Sequence, residues 1–171
     1  IGRLVLRALL ENYKEKIQVV AINDLGSIEA NAHLVKYDST HGTLPYDVET
    51  SKDGFKILNQ NIKVFAERDP VNLPWGKIGV DVVLECTGLF LDKTSAEKHI
   101  KAGAKKVIIS APAKEVDFTV VQGVNSAELK KEHNVISNGS CTTNCLAPVA
   151  MVLEKNFGIE YGYMTTIHSY T

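Results

Sequence analysis

Residues 134–156 read NVISNGSCTTNCLAPVAMVLEKN. Positions 134–137 are strand-like and positions 146–156 follow a helical pattern, so the chain runs from a strand through Gly139 and Ser140 into a helix. Cys141 then lies at the mouth of that helix, where unpaired backbone N–H groups and the positive end of the dipole favour a negative group. Such a location lowers a thiol pKa and yields a nucleophile at neutral pH. Either Asn138 or Ser140 supplies the cap. A small buried cysteine at a helix start fits the same spacing, and the residues alone do not separate the two readings. Pro148 lies inside the helix and cannot donate to the carbonyl of Asn144, which predicts a kink or a loosened turn. Broken local rules of this kind gather near functional sites.

Outward from this segment the pattern alternates. Helices are expected over residues 2–14, 27–36, 93–102 and 141–156, the third closed by Gly103 and the fourth ending near Gly158. Strands are expected over 17–22, 46–50, 55–58, 62–66, 106–109, 118–121, 135–137 and 159–168. Ser51-Lys52-Asp53-Gly54 reads as a hairpin turn, and residues 37–45 as a loop carrying Asp-Ser-Thr-His-Gly. Pro70 and Pro74 bracket a loop or single helical turn, and 126–131 a short helix. The near-continuous apolar run at 80–86 fits a strand buried on both faces. Strands and helices alternating through short connections imply an α/β fold, a parallel sheet covered on both sides. No internal repeat and no low-complexity segment interrupts it.

At 171 residues the chain holds one ordinary domain and part of a second. Apolar residues make up 44% and charged residues 23%, as in globular proteins, and the net charge is −1. Well-mixed charge gives no electrostatic reason for nucleic acid or an anionic membrane as main partner. No apolar stretch approaches the ~20 residues needed to span a bilayer. Three cysteines, Cys86, Cys141 and Cys145, cannot all pair, and their sparse use suits a reducing cytoplasm. No initiator Met opens the chain, and Ile1 runs directly into a helical pattern; a piece of a longer protein is the expectation.

The run SNGSCTTNCLAPV resembles the catalytic signature of phosphorylating glyceraldehyde-3-phosphate dehydrogenases, oxidoreductases that also add phosphate. Further blocks are similar in order: VAIND at 20–24, KYDSTHG at 36–42, AERDP at 66–70, CTGLFL at 86–91, AGAKKVIIS at 102–110 and MTTIHSYT at 164–171. The resemblance implies a Rossmann-type, doubly wound parallel sheet over residues 1–140, lacking its first strand, that binds NAD. It implies the truncated start of an α+β catalytic domain over 141–171. The implied reaction is glycolytic: NAD-dependent oxidation and phosphorylation of D-glyceraldehyde 3-phosphate to 1,3-bisphosphoglycerate in a cytoplasmic homotetramer.

The resemblance also assigns residues. Gly2 becomes the last glycine of the dinucleotide fingerprint, and Asp24, 22 residues on, stands near the ~20-residue offset of the ribose ligand. A carboxylate there accepts from the ribose hydroxyls and repels a 2′-phosphate, favouring NAD over NADP. Ile1 is expected to reach the pyrophosphate through its backbone N–H, Arg68 to lie near the adenine, Thr87 and Gly88 beside the cofactor, and Ser110 toward the nicotinamide. Cys141 is the implied nucleophile and His168 its base. Ser140, Thr142 and Thr171 are implied at the anion sites for glyceraldehyde 3-phosphate and inorganic phosphate. Without the resemblance Asp24 reads as a turn residue, Arg68 as a surface partner of Glu67 or Asp69, Ser110 and Gly88 as strand-end turns, and His168 as a strand-end histidine.

Two other readings stay open in the sequence. Erythrose-4-phosphate dehydrogenase shares the CTTNC and TTIHS runs, and a 171-residue piece could be a non-catalytic binding module. His33, His99 and His133 read as solvated or partly buried, and His41 as a structural residue holding its loop to the sheet. Cys145 and Cys86 read as buried, with Cys145 alternatively a redox partner of Cys141 at the cost of helix distortion. No Cys or His spacing supports a metal site.

Overall fold

The computed structural model of the chain describes residues 1–168; the expected anion-site role of Thr171 lies outside the described residues. Helix α1 (Gly2–Asn12) leads to strand β1 (Ala21–Asn23) and helix α2 (Ile28–Lys36). Strands β2 (Tyr37–Asp38), β3 (Gly42–Thr43), β4 (Val48–Ser51), β5 (Gly54–Ile57) and β6 (Gln60–Phe65) follow. After a 3₁₀ turn at Pro70–Asn72 come β7 (Val82–Glu85), α3 (Lys93–Lys101), β8 (Lys106–Ile109) and β9 (Phe118–Thr119). A second 3₁₀ turn at Ser126–Glu128 precedes β10 (Val135–Ser137) and α4 (Cys141–Phe157).

The sheet is divided in two. One half has the order β1-β6-β5-β4, the other β7-β8-β10-β9. β1 pairs parallel with β6, β4 to β6 form an antiparallel meander, and the second half is wholly parallel. β1 and β7 are both edge strands. Among the described residues no strand pairs with the open side of either edge. β1 is also shorter than expected, because only residues 21–23 find a neighbour in β6.

Local chemistry explains the helices. Ser27 Oγ accepts the Ala30 N–H at 3.1 Å and caps α2, with Glu29 in its first turn and Lys36 in its last. Asp92 caps α3 through the Ser95 N–H at 2.8 Å. Leu6 and Leu10, one turn apart on α1, bury against Ala32 and Val35 of α2 and against Leu44, Phe55, Ile57 and Ile62. A second cluster gathers Leu73, Trp75, Val80 and Ala104, and a third Ala96, Val107, Ile109 and Val135. The loop at 37–45 closes into the β2–β3 hairpin. The buried Arg7 guanidinium holds it by donating to Gly42 O at 3.0 Å. His41 instead bonds Asp38 within its own loop, at 3.1 Å, and is exposed.

Four expectations need correction. Residues 159–168 form no strand: among the described residues no neighbour supplies a backbone ladder, and Tyr163 is 97% exposed. β7 is buried on one face only. Its alternation turns Glu85 inward while Val82 and Leu84, 45% and 41% exposed, face solvent. His99 is buried, because the inner face of α3 sets it against Trp75. Cys145 is exposed, since α4 has no buried residue in the described structure. α4 is assigned as one helix through Pro148.

The segment after the first 3₁₀ turn is locked to the end of α3. Gly76 donates to Ala102 O at 3.0 Å, and Gly103, with φ +108°, lies so close that a Cβ there would sit 2.5 Å from Gly76 Cα and N. A side chain at 103 is opposed both by that backbone and by the left-handed conformation. Gly103→Ala should therefore lower stability by about 2–4 kcal/mol, read from chemical unfolding of the full-length protein. A loss under about 0.5 kcal/mol, the range of ordinary surface changes, would show that the two backbones separate freely.

Candidate functional site

The candidate site residues collect where strands end. In parallel α/β sheets ligands approach the carboxyl ends of the strands, beyond which loops carry the polar groups. Here Asp24 follows β1, Arg68 follows β6, Thr87 and Gly88 follow β7, Ser110 follows β8, and Ser140 and Cys141 follow β10.

The strand-to-helix segment at β10 is built by hydrogen bonds. Ser137 donates its hydroxyl to Ala111 O at 2.7 Å and accepts the Gly139 N–H at 3.1 Å, tying the turn to the sheet. Of the two candidate caps the structure uses Ser140, whose Oγ accepts the Thr143 N–H at 2.9 Å. The Thr142 and Thr143 hydroxyls lie 2.9 and 2.7 Å from that same oxygen. Asn144 reaches back to Asn138 O at 2.6 Å and Ser140 O at 2.9 Å. Asn138 thus contributes its carbonyl.

Cys141 is the first residue of α4 and is exposed. Its Sγ lies 3.2 Å from His168 Nε2. That contact holds the thiol below its ordinary pKa; burial opposes it, and the Thr142 N–H adds to the lowering. Cys86 behaves oppositely: burial pushes its thiol up, with a hydrogen bond from Ser110 working against it. One cysteine is poised toward thiolate and another away from it.

The cofactor-side positions fall into two groups. Gly2 packs against the end of β7, where a Cβ would meet Cys86 Cβ at 3.2 Å, and Ser110 donates its N–H to Glu85 O at 3.0 Å. Thr87 is exposed, and the space around Gly88 is open, with nothing within 4 Å of a Cβ built there. Ile1 is 75% exposed at the N-terminus of α1, which has no side-chain cap. In the second group Asp24 Oδ1 accepts the Gly26 N–H at 2.7 Å and Asn31 Nδ2 at 3.4 Å, while Oδ2 has no partner among the described residues. Arg68 is exposed and forms no ion pair there; Asp69 pairs with Lys98 at 3.2 Å. Exposed donors, a lone carboxylate oxygen and a gap beside Gly88 fit an extended polar ligand.

Sequence reading missed two residues. Asn23 exchanges hydrogen bonds with Glu67, Nδ2 to Glu67 O and Glu67 N to Oδ1, both 2.9 Å, and so fixes the Arg68 segment beside Asp24. Only a polar residue ending an otherwise apolar strand hinted at it. Glu85 is buried and bonded to the turn that follows it; its signal was a carboxylate inside the apolar run at 80–86. Among the described residues no three His, Cys, Asp or Glu side chains gather as metal ligands, and no helix is long and apolar enough to cross a membrane.

Known proteins carry the same arrangement of segments. The family model described as glyceraldehyde 3-phosphate dehydrogenase, NAD binding domain, matches residues 1–93, and that described as its C-terminal domain matches residues 140–171. A glyceraldehyde-3-phosphate dehydrogenase of Pseudomonas aeruginosa is 56% identical over the whole chain, which covers 52% of that protein. Relatives of the same name from Xanthobacter flavus and Bacillus cereus are each 55% identical, again over the whole chain and 51% of their own length. The chain spans about half the length of the curated relatives it matches. By both the matched family models and this identity, the chain belongs to the glyceraldehyde 3-phosphate dehydrogenase family.

Proposed function

We propose that the full-length protein oxidises and phosphorylates D-glyceraldehyde 3-phosphate with NAD and inorganic phosphate. The observation that carries this reading is the 3.2 Å approach of His168 Nε2 to the Cys141 thiol at the mouth of α4. Residues 1–140 serve as the NAD-binding unit and 141–171 begin the catalytic unit. Cytoplasmic location and a homotetramer are part of the same proposal, resting on kinship.

Cys141 acts as the thiolate and adds to the aldehyde carbon, giving a thiohemiacetal. His168 takes the thiol proton, returns it to the oxyanion as the thiohemiacetal forms, and takes the hydroxyl proton as the carbon is oxidised. The Cys141 N–H, at a helix end with no carbonyl to bond, faces the developing oxyanion. NAD, when bound, accepts the hydride. The resulting thioester on Cys141 is attacked by phosphate, which releases the acyl phosphate and returns the thiolate. Ser140, Thr142 and Thr171 offer hydroxyls to the two phosphate groups, with the Ser140 oxygen also occupied in capping. Asp24 receives the ribose hydroxyls, Arg68 flanks the adenine, the Ile1 N–H meets the pyrophosphate, and Thr87, Gly88 and Ser110 line the path of the cofactor.

Three outcomes test this reading in the full-length protein. Cys141→Ser should abolish dehydrogenase turnover and leave NAD affinity nearly intact, because the helix mouth does not ionise a serine hydroxyl at neutral pH; turnover above a few per cent of wild type would remove Cys141 as nucleophile. Asp24→Ala should weaken NAD about tenfold or more through loss of a charge-assisted bond and improve NADP relative to NAD. An unchanged NAD/NADP ratio, measured by titration of both, would take Asp24 away from the ribose. The third outcome concerns pH. A lowered thiol pKa means that the iodoacetamide alkylation rate of Cys141 rises and levels off at lower pH than that of an ordinary thiol. His168→Asn should shift that profile upward toward a free thiol, near pKa ~8.5, so that the rate falls at pH 7 and recovers at high pH. A profile indifferent to position 168 would assign the lowered pKa to the helix end alone.

A further inference from the structure

Glu85 is the one acidic side chain buried among the described residues, at 4% exposure, and the thiol chemistry does not use it. Its partners form a chain with a fixed direction. The indole Nε1–H of Trp75 donates to His99 Nδ1 at 3.0 Å. An indole nitrogen only donates, so His99 Nδ1 carries no hydrogen and the ring is the neutral tautomer with hydrogen on Nε2. That Nε2 donates to Glu85 Oε2 at 2.9 Å. Glu85 Oε1 receives the Thr87 N–H at 2.7 Å and the Thr87 hydroxyl as well. The Thr87 oxygen in turn accepts the Leu89 N–H at 3.1 Å. Burial raises the Glu85 carboxyl, and the donors from His99 and Thr87 outweigh it, so the group is held as a carboxylate.

Each end of this chain sits in a different setting. Trp75 is anchored in the core, edge-on to Phe65 at 5.8 Å between ring centroids. Leu89 and Thr87 lie in the exposed turn around Gly88. Because the indole can only donate and the carboxylate only accept, no reversed arrangement of hydrogens satisfies the chain. We propose that Trp75, His99 and Glu85 are positioning residues that fix the Thr87–Gly88 turn in the shape that receives the dinucleotide, which rests on the cofactor role proposed above for that turn.

Glu85→Gln in the full-length protein is the decisive change. The amide keeps the carboxylate's shape but makes one end a donor. With its oxygen toward Thr87, its NH₂ meets the His99 Nε2–H; if His99 moves its hydrogen to Nδ1, it meets the Trp75 N–H. One bond is lost either way. Calorimetric titration should show the Kd for NAD rising about tenfold, with kcat at saturating NAD falling far less than the affinity. Adding Trp75→Phe to Glu85→Gln removes the competing indole donor, frees His99 to accept from the amide, and should recover much of the lost affinity. A merely structural role for the trio predicts the opposite, since a second core change would deepen the defect. The ring ¹⁵N shifts of His99 in the wild-type protein should report the Nε2–H tautomer at pH 7. Trp75→Phe alone should weaken NAD about threefold, which serves if Glu85→Gln does not fold. The other tautomer or a charged ring in the wild type, unchanged NAD affinity in either single variant, or no recovery in the double variant would each overturn the proposal. A wild-type protein that does not bind NAD would remove the cofactor role of the turn itself, and the proposal with it; the tautomer measurement tells the two failures apart.

Discussion

A carboxylate taken out of water must be surrounded by donors or it will not stay charged. Glu85 imposes that constraint on half of the molecule. Its oxygens face His99 from α3 and Thr87 from the turn beyond β7, and His99 is in turn met by Trp75. Satisfying one side chain therefore fixes a strand, a helix, a core loop and the Thr87–Gly88 turn relative to one another. The Gly76–Ala102 hydrogen bond and the close backbone approach at Gly103 reinforce the same junction. These four parts meet there because the alternatives leave buried polar groups unpaired.

The thiol end of the molecule is organised on another principle. α4 buries none of its side chains in the described residues, so apolar packing does not orient it. Its direction comes from hydrogen bonds at its first turn: the Ser140 cap, the Asn144 amide reaching back to Asn138, and Ser137 bonded to Ala111 across the sheet. The helix mouth is thus specified by polar groups that also define the surroundings of Cys141.

How much was readable in the sequence follows from the kind of force at each position. Strands 106–109 and 135–137, the hairpin at 51–54 and the start of α4 were legible because local pattern and turn chemistry mark them. The Cys141 and His168 pair was legible only through family resemblance; nothing in their spacing brings positions 27 apart to 3.2 Å. Burial was the weak point. His99 was expected to be solvated or partly buried, yet its face of α3 lands on Trp75. Val82 and Leu84 were expected inside because the run is apolar, yet pleating turns them to a face left open. Residues 159–168 have strand-forming composition, and a strand exists only where a neighbour completes its hydrogen bonds.

The meander β4–β6 has a kinetic meaning. Its pairs are close in sequence, from Ser51 with Gly54 to Lys56 with Asn61, so each closes a short loop at little entropic cost. The second half-sheet joins Val83 to Val107 and Val107 to Val135 across whole helices and loops. Such non-local pairing is slow. The meander, with α1 and α2 laid on it, is the natural early-forming unit, and β7 must remain hydrated until α3 returns to it. Glu85 belongs to that non-local step: the donors that satisfy its carboxylate come from α3 and from the turn beyond β7, so they are in place only once the crossover has closed.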